Sequence, residues 1–368
     1  MTDQIRVLVV DDSALMRKLI PQILEREPSI QVVGTAMDGA FALKKIEELK
    51  PHVVTLDLEM PRMDGMETLR QIMRHHRVPV IIVSALSTQG ASTTFKALAL
   101  GAFDFVTKPR DAGANSSNLR EIAADLIAKI RVAAYSGSNA PTKADFLRAI
   151  EGRRASKPAT RPKQPASKIV GIGVSTGGPN ALHYLLSQLP EDFPGAILVV
   201  QHMPEGFTNM FARRLDESCA IEVKEAQSGD LLLAGRALIC PGNRHMKVRR
   251  MPLGNVVVLT DDPKVNGHRP SVDVLFRSIS QEFGPNAVAV LMTGMGDDGA
   301  EAMGVVKAAG GLTIAQDEGS SVVYGMPKAA IERGHAVRVV SLEVLANTLQ
   351  AHCLPERARA IRVGGSEQ

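Results

Sequence analysis

The sequence predicts two α/β domains with mainly parallel β-sheets, connected by a linker. Two observations carry this prediction. In both halves of the 368-residue chain, apolar runs of strand length alternate with segments of helical periodicity. Between residues 134 and 167 the alternation stops, and Pro, Ser, Lys and Arg dominate. Strands that alternate with helices form parallel sheets, so we expect helices on both faces of each sheet.

The first domain, residues 1–133, is predicted to contain five strands and five helices in strict alternation. The predicted strands are, in order, IRVLVV, IQVVGTA, HVVTLDL, VPVIIVSA and DFVTKP. The predicted helices are ALMRKLIPQILERE, GAFALKKIEELK, GMETLRQIMRHH, STTFKALALG and NLREIAADLIAKIRVAA. Alternation of this kind is typical of a parallel sheet.

The second domain, residues 168–353, resumes the alternation after the basic linker at residues 134–167. Its predicted strands are KIVGIGVS, GAILVVQH, RALICPG, NVVVLTD, AVAVLMTG, LTIAQD and AVRVVSL. Its predicted helices are PNALHYLLSQL, FTNMFARRLDES, SVDVLFRSISQEF and GAEAMGVVKAAG. Residues 354–368 are expected to form a C-terminal tail.

The composition argues against several functional classes. The net charge of +4 is too small to indicate nucleic-acid binding by itself, and the chain has no Trp and only 3 Tyr for stacking on single-stranded bases. Its 3 Cys are far apart, which favours neither a disulfide framework nor a zinc site and fits a reduced, cytosolic compartment. No apolar run reaches membrane-spanning length, and the N-terminus does not resemble a signal peptide.

Charged and polar side chains are predicted to gather at one edge of the first sheet. Asp11 and Asp12 follow the first predicted strand and Asp57 ends the third. Ser84 ends the fourth and Lys108 ends the fifth. Three clustered carboxylates repel one another unless a cation joins them, and oxygen ligands of this kind suit Mg²⁺. A carboxylate can also act as a nucleophile toward phosphorus. Taken singly, each residue has a simpler interpretation as a cap, turn residue or surface charge, but the joint spacing favours a phosphoryl site.

The same segments resemble the receiver domains of response regulators. The resemblance covers residues 4–130 and rests on VLVVDDS, VVTLDLEMPRMDG, VPVIIVSA and GAFDFVTKP. It implies a flavodoxin-like fold and phosphorylation by a histidine kinase. The implied roles are phosphoryl acceptor for Asp57, Mg²⁺ ligands for Asp11, Asp12 and Asp57, phosphoryl contacts for Lys108 and Ser84, an aromatic switch for Phe105, and a cis peptide between Lys108 and Pro109.

A second constellation follows the first strand of the second domain. Gly173–Gly177, GVSTG, fits the G-x-S-x-G pattern that presents a nucleophilic serine, here Ser175, on a strand-to-helix turn. A structural tight turn is the simpler alternative. A dinucleotide-binding fingerprint is disfavoured because this segment lacks the glycine that the fingerprint requires at its sixth position. A serine nucleophile needs a base and an orienting acid. His202 ends the next strand, and Asp297 and Asp298 follow a later one; residue chemistry alone does not choose between them.

These residues lie in motifs that resemble the CheB methylesterase family. The resemblance covers residues 168–350 and rests on GVSTGGP, VVQHMP, CPGNRHM, HRPSVDVLF and LMTGMGDDGA. It implies Ser175 as nucleophile, His202 as general base and the second aspartate, Asp298, as orienting acid. It also implies that Met295 contributes a backbone N–H to the oxyanion hole and that Thr176 lines the site.

The implied activity is hydrolysis of glutamyl methyl esters on chemoreceptors, with deamidation of certain glutamines by the same acyl route. No cofactor is expected for the esterase chemistry. In the family, the unphosphorylated receiver restricts the catalytic cleft and phosphorylation weakens that contact. The implied partners are methyl-accepting chemoreceptors and a chemotaxis histidine kinase, at receptor arrays in the cytoplasm. Nucleic-acid binding and direct membrane insertion are not expected.

Two other functional classes fit the sequence less well. A binding adaptor with a degenerate catalytic domain is disfavoured because all three triad residue types are present. A DNA-binding response regulator would need a helix-turn-helix output domain with a basic recognition helix. The second half instead has the α/β pattern.

Overall fold

The computed structural model of the protein describes residues 4–61, 63–85, 87–108, 116–135 and 164–354. The chain divides into two compact units, residues 1–139 and 140–368. Most of the predicted linker and tail lies outside the described residues, as does Pro109 with its predicted cis peptide. Among the described helices, none combines the length and apolar character needed to cross a membrane.

The first unit is a doubly wound parallel sheet, as predicted. Its strands are β1 (Ile5–Val10), β2 (Ile30–Ala36), β3 (Val53–Leu56), β4 (Val80–Ser84) and β5 (Asp104–Thr107). Its helices are α1 (Ala14–Leu24), α2 (Gly39–Leu49), α3 (Gly65–His75), α4 (Thr88–Leu100) and α5 (Ser116–Tyr135). The strand order is β2-β1-β3-β4-β5, and every pair is parallel. The strands β3 and β4 are buried along their whole length, as expected where helices cover both faces.

Side-chain caps begin the first four helices of this unit. The capping residues are Ser13, Asp38, Asp64 and Ser87, each of which accepts a hydrogen bond from a backbone N–H of the first turn. The cap of α1 is therefore Ser13. The carboxylate of Asp12 is exposed and is not used for this cap.

The second unit contains a seven-stranded sheet and a separate two-stranded one. Its strands are β6 (Lys168–Val174), β7 (Gly195–Gln201), β8 (Glu222–Glu225), β9 (Arg236–Ile239), β10 (His245–Arg249), β11 (Val256–Thr260), β12 (Ala287–Leu291), β13 (Leu312–Gln316) and β14 (Arg338–Val340). Its helices are α6 (Gly178–Ser187), α7 (Phe207–Ser218), α8 (Val272–Phe283), α9 (Ala300–Ala308), α10 (Met326–Glu332) and α11 (Leu342–Cys353).

The large sheet brings the ends of three particular strands together. Its order is β14-β13-β12-β6-β7-β9-β8, and every pair is parallel. The order reverses at β6, which lies between β7 and β12. In open parallel sheets a crevice forms at such a switch point, beyond the carboxyl ends of the strands. The segments that follow β6, β7 and β12 therefore meet in one place.

Several elements of this unit differ from the sequence prediction. The predicted strand NVVVLTD is present as β11, but it pairs antiparallel with β10 outside the main sheet. The strands β8 and β10 and the helices α10 and α11 are not among the predicted elements. The sequences of β8 and β10, EVKE and HMKVR, are short and charged, so hydrophobic periodicity does not reveal them.

Candidate functional site

Ser175 lies on a tight turn between β6 and α6. Its backbone N–H donates to the carbonyl of Thr293 at 3.0 Å, and its own carbonyl accepts from Gly178 N–H at 2.8 Å. The side-chain amide of Gln201 donates to the same carbonyl at 2.9 Å. Gly177 has a φ of 75°, which glycine adopts without strain. The turn is thus fixed through its backbone, while the Ser175 side chain is partly exposed.

Two glycines allow neighbouring chain segments to approach this turn. A Cβ at Gly178 would overlap the side-chain carbonyl oxygen of Gln201. A Cβ at Gly294, in the loop after β12, would lie 2.8 Å from the Cβ of Ser175 and 3.2 Å from its backbone nitrogen. The loop that carries Met295 therefore packs directly against the serine turn.

His202 follows β7 and stands beside Ser175. The register pairs Val174 with Gln201, so the next residue of each strand lies at the same edge. The backbone N–H of His202 donates to the carbonyl of Val174 at 3.1 Å. The His202 Nε2 atom is 2.8 Å from Asp298 Oδ2.

Asp298 is a buried carboxylate surrounded by hydrogen-bond donors. They are His202 Nε2 (2.8 Å), Val272 N–H (2.7 Å), the Ser271 hydroxyl (2.7 Å), Asn266 Nδ2 (3.1 Å) and Asp273 N–H (3.2 Å). Two of these donors are backbone groups of the first turn of α8, where the helix favours negative charge. Burial raises the pKa of Asp298, but the hydrogen bond and charge of His202 and the bonds from Val272 and Ser271 outweigh burial. The pKa is therefore held well below its ordinary value.

The ionised state of Asp298 decides the tautomer of His202. A carboxylate only accepts hydrogen bonds, so Nε2 carries the proton that points to Asp298. In the neutral ring, the lone pair is then on Nδ1. This atom is buried and has no hydrogen-bond partner among the residues the structure describes.

The neighbouring aspartate occupies a different environment. Asp297 is exposed, and its carboxylate pairs with the guanidinium of Arg333 at 2.6 Å. Of the two aspartates left open by residue chemistry, only Asp298 reaches His202. Thr176 is buried, and its carbonyl accepts a hydrogen bond from the Thr293 hydroxyl at 2.9 Å, whereas the side chain of Met295 is 41% exposed.

The acidic cluster of the first unit lies at the carboxyl edge of its sheet, as predicted. Carboxylate oxygens of Asp11, Asp12 and Asp57 lie within 4.8 Å of one another. The ammonium of Lys108 is 2.7 Å from Asp57 Oδ2 and 2.9 Å from Asp11 Oδ2. The backbone N–H of Glu59 donates to Asp57 Oδ1 at 3.1 Å. One ammonium therefore serves two buried carboxylates.

The sharing of one cation shifts the pKa values of Lys108 and Asp57. Burial lowers the pKa of Lys108, but the hydrogen bonds and charges of Asp57 and Asp11 outweigh burial and raise it. Burial raises the pKa of Asp57, and Lys108 offsets this only in part while the charge of Asp11 adds to it. The three carboxylates offer oxygen ligands, and one ammonium does not balance their negative charge. The cluster therefore fits a hard divalent cation.

The two remaining residues predicted for the phosphoryl site, Ser84 and Phe105, are buried. The hydroxyl of Ser84 contacts the carbonyls of Gly90 at 3.3 Å and Ala85 at 3.4 Å. The Phe105 ring packs edge-on against Phe95, with 6.3 Å between centroids. It also lies 5.5 Å from the Lys129 ammonium.

Comparisons with known proteins identify the families that the two domains resemble. The family model described as CheB methylesterase matches residues 170–349, and the model described as response regulator receiver domain matches residues 7–120. The chain is 65% identical, over 97% of its own length and 98% of the relative's, to the protein-glutamate methylesterase/protein-glutamine glutaminase 2 of Koribacter versatilis (strain Ellin345). The chain belongs to the CheB methylesterase family.

Other CheB methylesterase relatives also align over nearly their whole length. The protein-glutamate methylesterase/protein-glutamine glutaminase of Pyrococcus horikoshii is 46% identical over 94% of this chain and 93% of the relative. The predicted membership of the CheB family is thereby confirmed. A solved Thermotoga maritima CheB methylesterase catalytic domain is 39% identical and covers 50% of this chain and 98% of that structure, with a TM-score of 0.49.

Two residues that contact the candidate site are not predicted by residue chemistry. Asn266 donates to Asp298, and the ring of His268 stacks on His202. Both belong to the segment after β11. The pair Asn266-Gly267 is a strong signal for a tight turn. Nothing in the sequence indicates that this turn faces His202, because the contact joins residues far apart in the chain.

Proposed function

We propose that this protein is a phosphorylation-activated serine hydrolase that demethylates glutamyl methyl esters, and deamidates certain glutamines, on chemoreceptors. One observation carries the proposal. His202 is bonded through Nε2 to ionised Asp298, stands beside the Ser175 turn, and keeps Nδ1 available as a base. The names of the relatives, protein-glutamate methylesterase/protein-glutamine glutaminase, supply the substrate class.

The reaction proceeds through a covalent acyl-enzyme. The Ser175 hydroxyl attacks the ester carbonyl carbon while His202 Nδ1 accepts its proton. The ester C–O bond then breaks, and His202 returns the proton to the departing methoxide, which leaves as methanol. A water molecule attacks the acyl group in the same way, which restores Ser175 and releases the glutamate side chain. Glutamine follows the same route with ammonia as the leaving group.

The remaining groups of the site support these steps. Asp298 stays ionised, so it stabilises the imidazolium that forms when His202 takes the proton. The backbone N–H of Met295 would donate to the tetrahedral oxyanion, since Gly294 lets this loop approach the serine closely. Thr176 lines the site. We assign no cofactor to the ester hydrolysis.

The receiver domain would accept a phosphoryl group on Asp57 from a chemotaxis histidine kinase. Asp11, Asp12 and Asp57 would hold Mg²⁺, which neutralises charge on the phosphoryl oxygens when it is bound. Lys108 already bridges Asp57 and Asp11 and would pair with a phosphoryl oxygen. Ser84 would turn its hydroxyl toward the phosphoryl group, and Phe105 would respond as an aromatic switch.

We place the receiver at residues 1–133, the linker at 134–167, the methylesterase domain at 168–353 and the tail at 354–368. The unphosphorylated receiver would restrict access to the esterase, and phosphorylation would relieve this restriction. The substrates would be methyl-accepting chemoreceptors at receptor arrays in the cytoplasm.

Release of methanol from methylated receptor membranes tests the proposed function. Ser175→Ala removes the nucleophile and should lower kcat by at least about 10⁴-fold. Ser187→Ala is the matched control because, among the residues the structure describes, the Ser187 hydroxyl donates to the carbonyl of Tyr184 within its own helix α6. Methanol release that survives in Ser175→Ala would refute the assignment of the nucleophile.

A further inference from the structure

A second histidine contacts the face of the catalytic one. The imidazole rings of His202 and His268 are stacked, with 3.8 Å between centroids and an angle of 5° between planes. The stack covers one face of His202, while the bond to Asp298 holds only the ring edge at Nε2. The contact with Asp298 alone leaves the ring free to tilt about the hydrogen bond, and the stack opposes that tilt.

His268 is presented by a tight two-residue turn. Val265 and His268 form an antiparallel bridge in which each backbone N–H donates to the other's carbonyl, at 3.0 and 2.9 Å. The two residues between them, Asn266 and Gly267, have φ values of 53° and 77°. Positive φ at both central positions is the mark of a type I′ turn. The turn is short and closed, so it fixes the position of the His268 backbone.

The same turn also contacts the catalytic acid. The Asn266 side chain donates to Asp298 Oδ1 at 3.1 Å and to Asp273 Oδ2 at 2.8 Å. Just beyond the turn, the guanidinium of Arg269 donates to Asn243 Oδ1 at 2.7 Å and to the carbonyl of Asp261 at 2.9 Å. One anchored turn thus touches both the base and the acid.

We infer that His268 is a positioning residue that fixes the ring plane of His202 and thereby the direction of its Nδ1 lone pair. This inference rests on the proposed function, in which Nδ1 takes the proton of Ser175. Orientation of the base cannot come from the serine before the reaction, because Nδ1 has no hydrogen-bond partner among the described residues. The stack with His268 and the bond to Asp298 supply that orientation together.

Substitutions at His268 separate stacking from other roles of the side chain. His268→Ala removes the ring, whereas His268→Phe keeps a flat ring of similar size. We expect kcat to fall about three- to tenfold in His268→Ala, with KM unchanged, and to stay within about twofold of the parent in His268→Phe. His183→Ala, which removes a partly buried histidine from α6 of the same unit, is the control and should leave kcat unchanged.

Two measurements on the full-length protein do not depend on the receptor substrate. The first is the rate at which a fluorophosphonate labels Ser175, which should follow the same order as kcat. The second is the NMR signal of the His202 Nε2 proton, with histidine labelled by ¹⁵N. That signal should be sharp in the parent and in His268→Phe, and broadened by exchange in His268→Ala.

The outcomes distinguish this inference from the proposed function. Equal loss of labelling and of the proton signal in both His268 variants would overturn the stacking role, as would full retention of both in His268→Ala. If labelling and the proton signal follow the expected order but the parent releases no methanol from methylated receptors, the inference stands and the proposed substrate is wrong.

Discussion

Asp57 and Asp298 are equally buried carboxylates, each 2% exposed, yet their surroundings shift their pKa values in opposite directions. The two oxygens of Asp298 accept from five donors, so its charge is stabilised without a metal. Asp57 shares the single ammonium of Lys108 with Asp11. The first arrangement suits an acid that must stay ionised to orient a histidine. The second leaves negative charge in excess and suits a site that takes up a cation and a phosphoryl group.

His183 gives a prediction about pH and stability. Burial first, and then the positive charge of Arg214, lower the pKa of His183 to about 4 from an ordinary value of 6.5. Between these two values the unfolded chain binds a proton that the folded one does not. The free energy of unfolding should therefore be largest above pH 6.5 and fall by up to about 3 kcal/mol as the pH drops toward 4.

Urea unfolding of the parent and of His183→Gln at pH 7.5 and 4.5 measures this difference. The glutamine cannot be protonated, so His183→Gln should lose less stability than the parent over the same interval. His75→Gln, at an exposed histidine of α3 in the other unit, should behave like the parent. Identical losses in the parent and in His183→Gln would contradict the prediction.

At the level of elements, the sequence predicts those whose burial is periodic or continuous. The fully buried strand β7 and the amphipathic helix α8 are predicted nearly at their observed bounds, and the buried strand β12 is predicted from its first residue but three residues too long. The edge strand β8 and the hairpin strand β10 are charged and short, and their pairing comes from tertiary contacts.

In the candidate site, too, some positions follow from the pattern of strands and helices and others depend on tertiary contacts. Ser175 and His202 end predicted strands of the second sheet, and Asp57 ends a predicted strand of the first. Their positions at the carboxyl edges of these sheets follow from the alternation of strands and helices. Residue chemistry leaves Asp297 and Asp298 open, and the resemblance to the CheB family implies Asp298, which the N-terminus of α8 contacts. The stack of His268 on His202 depends on a turn that follows β11. Such contacts between distant segments are set by packing, which a sequence pattern does not encode.

The loop after β12 gives a prediction at the same scale. Ala in place of Gly294 would put a Cβ 2.8 Å from the Cβ of Ser175 and against the sulfur of Met326. Either the loop or the serine turn must shift, and a shift of about 1 Å at Ser175, the proposed nucleophile, should lower kcat about 10- to 100-fold. Gly319→Ala is the matched control, since nothing lies within 4 Å of its added Cβ. Methanol release shows the effect, and equal kcat values for the two variants would mean that the close approach is unimportant.

At the level of the whole molecule, two chemistries that do not share residues occupy the two units. The acidic cluster of the first unit is built from carboxylates and an ammonium, and the proposed esterase site from a serine, a histidine and an aspartate. In the proposed function the link between them is regulatory, and a charge change at Asp57 biases access to Ser175.

Asp57→Asn tests this link because asparagine cannot accept a phosphoryl group. With Mg²⁺ and acetyl phosphate, methanol release by the parent should rise about five- to a hundredfold, the range of ordinary coupling between two sites. Asp57→Asn should show no rise, and its unstimulated rate should stay within about twofold of the parent's.

A fragment that begins at residue 164 should match the stimulated parent without a phosphodonor. If the fragment is no faster than the unstimulated parent, the receiver does not inhibit the esterase; if Asp57→Asn loses its unstimulated rate as well, the role of Asp57 is structural.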